Sequence, residues 1–369
     1  MKYNWQQKDW KKFYYNFEEL EEKLYAFIEK TGKIKGITKA LSKESHTQTV
    51  IDTLVSEAIK TSEIEGEFLS RKDVMSSVRN NLNINIKHET VSDLRAKGIG
   101  SLVTEVQNTF SEPLSETVLF KWHKQLLLHE KQLKVGNWRT HIEPMQVISG
   151  AMGKQRIHFE APPSKEVPKE MKKFIDWFNT TSPQGNKKIK YAPIRAAIAH
   201  LYFESIHPFE DGNGRIGRAI AEKALSQTLE SPLMLSLSTS LEKHKKQYYT
   251  ALEKGQQSNE ITLWLHFFID IILEALDNSE KMIDFTLQKT KLLDKYKLQL
   301  NERQSKVLKR MLAEGINGFE GGMTSRKYIG ITKTSKATAT RDLQNLFEIG
   351  VFKVLGKGRN TSYEINFDN

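Results

Sequence analysis

His207-Pro208-Phe209-Glu210-Asp211-Gly212-Asn213-Gly214-Arg215-Ile216-Gly217-Arg218 joins two segments of helical periodicity. Pro208 stops the first, because it has no N–H for the next helical bond. Gly212 and Gly214 allow a tight turn and a close approach of backbone to a ligand, and the free N–H groups that open the second helix form an anion site. Arg215 and Arg218 lie three apart and share a face of that helix. Two cations at a helix N-terminus oppose the helix dipole, so the pair implies a bound anion, with phosphate as the natural guest. Asp211 adds one carboxylate, which suits a Mg2+ ion shared with substrate phosphates rather than caged by protein. His207 is a proton acceptor for neutral pH, since an unperturbed imidazole titrates at about 6.5.

Around this segment the chain reads as mainly helical. Pro193 stands where a first-turn proline is tolerated, ahead of a helix over 194–206, and residues 113–129 and 166–179 also carry helical spacing. Residues 145–159 alternate weakly about Ser149-Gly150-Ala151-Met152-Gly153, which predicts a β-hairpin and the one strand pair before residue 290. Upstream, Trp10, Phe13, Phe17, Leu20, Leu24 and Phe27 predict an amphipathic helix broken over 31–36. Val50, Ile51, Leu54, Val55, Ala58 and Ile59 predict another that closes near Gly66. Downstream, residues 263–276 read as a core helix striped by His266, Asp270 and Glu274, and a charged helix follows around 281–300.

Length and composition bound the function. The 369 residues call for two or three domains, and 38% hydrophobic with 27% charged residues is ordinary for a globular protein. The apolar stretch at 263–276 is too short and too polar for a membrane span, and the N-terminus has no apolar segment of the export type. The absence of cysteine removes disulfides, thiol nucleophiles and thiolate metal sites together, and fits a cytoplasmic setting. Of the +11 net charge, much falls in residues 291–369, where 15 Lys and Arg face 8 Asp and Glu. The last part is therefore a basic module.

The central segment resembles the signature of the Fic family, His-Pro-Phe-x-Asp/Glu-Gly-Asn-Gly-Arg-x-x-Arg, at every specified position. The resemblance implies a helical core that moves AMP from ATP to a Tyr, Thr or Ser hydroxyl of a target protein. In it His207 is the base, Asp211 the Mg2+ ligand, and Gly212, Asn213 and Gly214 the anion loop. Arg215 and Arg218 would contact the β- and γ-phosphates, and Phe209 would anchor the loop. Thr61-Ser62-Glu63-Ile64-Glu65-Gly66 is similar to a second family pattern, Ser/Thr-x-x-x-Glu-Gly/Asn, borne on an inhibitory helix. It implies that Glu65 pairs with Arg218 and takes the arginine that the γ-phosphate needs; whether Glu65 also supports AMP removal stays open. The 145–159 hairpin looks like the family's flap, whose edge aligns a target by strand pairing. Tyr248 and Tyr249 are candidates for the adenine pocket.

Residues 300–369 resemble a winged helix. The recognition helix would be 335–347, bearing Thr338, Thr340, Arg341 and Gln344, and the wing would turn at Gly356-Lys357-Gly358-Arg359-Asn360. DNA and protein are both open as its partner, as is a homodimer. The expected division is an N-terminal helical region at 1–105, a catalytic core at 106–290 and the winged-helix-like domain at 291–369. An alternative function is a nucleotide-sensing, DNA-binding transcriptional regulator.

Overall fold

A computed structural model describes residues 3–84, 88–149, 156–232, 234–356, 358 and 361–367. In chain order the α-helices are α1 (Glu21–Ala40), α2 (Lys43–Ile64), α3 (Arg71–Asn81), α4 (Leu94–Asn108) and α5 (Glu116–Leu126). Strands β1 (Gln146–Ser149) and β2 (Arg156–Glu160) follow. Then come α6 (Val167–Thr180), α7 (Ala192–Ile206), α8 (Asn213–Thr228), α9 (Leu237–Lys243), α10 (Lys245–Gly255), α11 (Thr262–Tyr296) and α12 (Glu302–Leu312). The chain ends with α13 (Ser325–Thr332), α14 (Lys336–Glu348), β3 (Phe352–Leu355) and β4 (Ser362–Ile365). The fold is mainly helical, as the periodicity predicts. Among the described residues no helix is long and apolar enough to cross a membrane.

The chain divides into two compact units, residues 1–36 with 50–277 and residues 37–49 with 278–369. At the centre of the first unit is the antiparallel pair α7–α8. Every residue of α7 is buried. Ala192, Ala196, Ala197 and Ala199 keep its surface low, and Ile194, Leu201, Phe203 and Ile206 bury full side chains. Each large apolar side chain removed from water stabilises by about 1.5–3 kcal/mol. Pro193 occupies the first turn of α7, and β1 and β2 form an antiparallel hairpin with a register shift between Val147 and Ile148. The turn residues 150–153 lie outside the described residues.

Three expectations need correction. The aromatic run at 10–20 is no helix. Residues 3–20 are mostly irregular, with 3-10 turns at residues 4–6 and 18–20, and α1 begins only at Glu21. Its backbone bonds elsewhere: Asn4 N–H reaches the Gln256 carbonyl at 2.8 Å, and Tyr14 exchanges bonds with Asn259 and Ile261 at 3.0 Å each. Trp10 and Phe13 stand edge-on to Tyr202 of α7, 5.3 and 5.7 Å away. Tertiary bonding thus replaces the helix that the spacing predicts. Nor does 31–36 interrupt α1, since isolated glycines cost a helix only about 1 kcal/mol each, and Thr31 and Ile34 are buried there. The third correction is α11, a single helix of 35 residues where two read from the sequence. Residues 277–280 are polar but hold no glycine or proline to end it.

The second unit contains α12, α13, α14 and the β3–β4 hairpin around a core that includes Val307, Leu308, Met311, Tyr328, Leu343 and Phe352. The buried Asp342 accepts from the Tyr328 hydroxyl at 2.9 Å and from Arg303 Nε at 2.8 Å, tying α12, α13 and α14 together. Burial raises its carboxyl pKa, but Arg303 and Tyr328 outweigh that and hold it below the ordinary value. Lys336, Ala337, Thr340, Arg341 and Gln344 are exposed on one face of α14. In the turn between β3 and β4, residues 357, 359 and 360 lie outside the described residues.

Candidate functional site

The bend between α7 and α8 is built by unusual backbone. His207 closes α7 in the left-handed region (φ 49°, ψ 61°), and Gly212 precedes α8 at φ 79°. A left-handed conformation is uncommon for a residue with a Cβ and needs support from its surroundings. Arg139 provides it. This buried guanidinium donates to the His207 carbonyl through Nε at 2.8 Å and to the Pro162 and Ile206 carbonyls through Nη2, while its own N–H bonds the Pro208 carbonyl at 2.9 Å. Burial lowers its pKa to about 10, still cationic at neutral pH.

Asn213 closes the loop from the other side. Its side-chain oxygen accepts the Phe209 N–H, and its side-chain nitrogen donates to the Phe209 carbonyl, both at 2.9 Å. The Asn213 side-chain amide therefore fastens the loop. Phe209 is fully buried and stacks on His123 with ring centroids 4.1 Å apart, the anchor expected of it. His123 accepts the Gly136 N–H at Nδ1 (2.7 Å), which leaves Nε2 as the donor to the Asp211 carbonyl at 3.2 Å. Burial, the largest influence on this ring, lowers its pKa to about 4 and keeps it neutral.

His207, Asp211, Gly212, Asn213, Gly214, Arg218 and Glu65 line one cleft of about 880 Å3. Arg215 is not in its lining. The cleft also takes Val147, Ile148, Arg156 and His158 from the hairpin, and Tyr248 and Tyr249 from α10. Tyr248 is buried with its hydroxyl 2.8 Å from His200 Nε2, and Tyr249 is more exposed. Glu253 of α10 pairs with Arg156 at 2.8 Å and His158 at 2.9 Å, which fastens β2 to the far wall.

The end of α2 governs both arginines. Gly66 is left-handed (φ 84°), Glu67 N–H bonds the Ser62 carbonyl at 2.9 Å and Gly66 N–H bonds the Glu63 carbonyl at 3.0 Å, the paired closure of a Schellman turn. That turn presents two carboxylates. Glu65 Oε1 accepts from Arg218 Nη2 at 2.7 Å, and Glu67 Oε1 lies 2.9 Å from Arg215 Nη1. Arg218 also donates through Nε to Thr61 Oγ1 at 2.7 Å and through Nη2 to the Thr61 carbonyl at 2.9 Å. Its burial alone would lower its pKa, yet the Glu65 charge and hydrogen bond raise it above the usual guanidinium range. A Cβ at Gly214 would run into the Glu65 carboxylate, so glycine is needed where α2 meets α8.

For a metal, the donor set is small. Among the described residues no cluster of three or more His, Cys, Asp or Glu side chains is arranged to hold one. The Asp211 carboxylate is just over half exposed; one oxygen accepts the Gly212 N–H at 2.6 Å and the other lies 3.6 Å from Arg215 Nη2. One accessible carboxylate beside an anion site fits a Mg2+ ion that completes its shell with phosphate and water.

Glu67 and Glu204 escape the sequence reading. Glu67 lies beyond the Glu-Gly pattern, and only a charge count, two arginines against one named acid, points to it. Glu204 sits three residues before His207, a spacing that puts both on one helix face.

A sequence model of the Fic/DOC family matches residues 113–225, and a model described as a domain of unknown function (DUF4172) matches residues 3–84. Protein adenylyltransferase Fic of Drosophila willistoni is 26% identical over 187 residues, which are 50% of this chain and 32% of that protein. Protein adenylyltransferase fic-1 of Caenorhabditis elegans is 30% identical over 135 residues, 36% of this chain and 22% of that protein. The chain thus spans about a third or less of the length of these relatives. A crystal structure of a Fic family protein from Desulfovibrio desulfuricans G20 superposes with a TM-score of 0.53 at 17% identity, covering 93% of this chain and 95% of that one. A Fic domain containing signaling protein from Bacteroides thetaiotaomicron gives 0.52 at 19% identity, covering 70% and 96%. Residues 113–225 are accordingly a Fic/DOC family domain, carried by a chain with the fold of Fic family proteins.

Proposed function

We propose that the chain is a protein adenylyltransferase that moves AMP from ATP to a Tyr, Thr or Ser hydroxyl of a target protein. The observation that carries this reading is the convergence of His207, Asp211, Arg218 and the N-terminus of α8 on a single cleft of nucleotide size. The names of the relatives agree with it. His207 takes the proton of the incoming hydroxyl, the oxygen attacks the α-phosphorus, and pyrophosphate leaves. The loop N–H groups of 213 and 214 and Arg218 hold the phosphates, Arg215 joins them once it leaves Glu67, and Phe209, Asn213 and Arg139 keep the loop in shape. Asp211 would hold Mg2+, which supplies charge neutralisation at the phosphates. Such transfers depend on positioning and charge stabilisation rather than a covalent nucleophile.

Glu65 acts as a brake in this reading, because its ion pair occupies the arginine that the γ-phosphate needs; Glu67 does the same to Arg215. The three-part division at 105/106 and 290/291 and a cytoplasmic, ATP-containing setting belong to the same proposal. ATP labelled separately at its α- and γ-phosphates tests it. The α-label is expected on protein, the γ-label is not, and His207→Ala is expected to reduce incorporation by about 10^3-fold, the scale of a lost general base. Transfer of the γ-label would make the chain a kinase instead.

A second reading has one observation in its favour. The exposed α14 face with Lys336, Thr340, Arg341 and Gln344 has the composition of a phosphate-contacting recognition helix on a winged-helix-like module. Duplex binding by the full chain that weakens with salt and is reduced by Arg341→Ala would support a DNA-binding regulator. No binding at low salt would end that reading.

A further inference from the structure

Glu204 lies on α7 one turn before His207 and is buried. Its Oε2 is 3.6 Å from His207 Nδ1. Two polar atoms there lack hydrogen-bond partners among the described residues, Glu204 Oε1 and His207 Nδ1. A buried carboxylate without a donor is costly, and the two needs are complementary: an acceptor on 204 and an N–H on Nδ1. The backbone makes room for the acid, because a Cβ at Gly217 of α8 would collide with Glu204 Oε1. Of the other groups facing this carboxylate, His200 has its Nε2 beside the Tyr248 hydroxyl at 2.8 Å and its Nδ1 without a partner among the described residues, and Arg218 is engaged by Thr61 and Glu65 through Nε and Nη2 with Nη1 unpartnered. Burial pushes the Glu204 carboxyl up, but His207, His200 and Arg218 outweigh this and hold it below its ordinary value, so the acid is charged.

We propose that Glu204 is the positioning residue for His207: it accepts a hydrogen bond from Nδ1–H and so leaves Nε2 unprotonated toward the cleft. The proposal rests on the adenylyltransferase reading for its chemistry. In the transfer, the O–H bond of the target breaks and its proton goes to Nε2. The oxygen bonds the α-phosphorus, and the bond from that phosphorus to the bridging oxygen breaks with its electron pair leaving on pyrophosphate. Glu204 takes no proton. It offsets the imidazolium charge formed beside it and excludes the other tautomer, which would present a donor where an acceptor is required. The 3.6 Å separation is what a small rotation of the ring would shorten to a hydrogen bond, and such bonds commonly tighten when substrate is held.

Two variants of the full chain test this. Glu204→Gln keeps volume and polarity and removes the charge; it is expected to lower kcat by about tenfold or more while the KM for ATP stays unchanged. Glu204→Leu removes the acceptor, and 15N chemical shifts of His207 are expected to move from the Nδ1–H pattern of the wild type to the Nε2–H pattern. A Gln variant with wild-type kcat, or a wild type already in the Nε2–H form, overturns the proposal. A residue that merely fills the core would change melting temperature and leave both readouts alone. If the wild type carries no α-label at all, the adenylyltransferase reading fails, while the tautomer measurement still decides the role of Glu204.

Discussion

The two ends of the α7–α8 pair each bury an arginine, and they treat it in opposite ways. At the rear, Arg195 pairs with no carboxylate among the described residues. Its Nη2 donates to the Phe178 carbonyl at 2.8 Å and Gln227 Oε1 at 2.9 Å, its Nη1 to the Ala224 carbonyl at 3.1 Å and Thr228 Oγ1 at 3.2 Å, and its Nε to Thr181 Oγ1 at 3.3 Å. Burial lowers its pKa to about 9. Glu222, also in the rear half of α8, is buried, and burial together with the Glu57 charge raises its pKa well above the ordinary value. The rear thus holds its cation on neutral acceptors and keeps its acid from ionising. At the front, Arg218 keeps its charge high, depends on a carboxylate at the end of another helix, and has Nη1 without a partner among the described residues. Burial alone does not mark a functional arginine. In the adenylyltransferase reading, the mark is a partner that can be exchanged for an anionic ligand.

The largest effect expected of this comparison is at the rear. Arg195→Leu removes the donor to five acceptors and should cost about 4 kcal/mol in urea unfolding, on the scale of breaking a buried polar network. A cost below about 1 kcal/mol would mean that Arg195 is as dispensable to folding as a ligand-binding arginine, and the contrast would vanish.

Glu222 gives a smaller, pH-dependent effect. Its folded-state pKa is raised, so above about pH 4.5 the unfolded chain has released a proton that the folded chain still holds. Stability therefore falls as pH rises from that point toward the folded pKa, by at most about 1.4 kcal/mol per pH unit. Glu222→Gln should flatten the slope, so the variant gains on the wild type between pH 5 and pH 7. Parallel unfolding curves at the two pH values would show instead that the rear half carries a charge.

At the front, Glu65→Gly should raise α-label incorporation about tenfold, equivalent to about 1.4 kcal/mol of lost competition at Arg218, with little change in melting temperature. Equal incorporation by variant and wild type would remove the braking role and leave the ion pair as a structural contact.

Legibility from sequence followed the range of the forces involved. The loop from His207 to Gly212 was readable because proline, glycines and arginines each impose a local demand, and α7, α8 and the β1–β2 hairpin follow from short-range periodicity. The segment before Glu21 was not, because its backbone partners near Gln256 and Asn259 are remote in sequence. The break expected in α1 and the division expected in α11 failed for a related reason: weak local signals yield to packing. Among the site residues, Glu65 was named through a pattern. Glu67 meets Arg215 from another element, and a one-dimensional reading has no term for the angle at which two helices meet; Glu204 shares a helix face with His207, but an acid three residues from a histidine is too common a spacing to single it out.

The Schellman turn at Gly66 has one further consequence. Glu65 and Glu67 reach different guanidinium groups from opposite sides of one glycine, so both grips depend on the same half-turn of backbone. A contact that uncoils this half-turn would loosen both carboxylates together, so the two ion pairs would open in concert rather than one at a time.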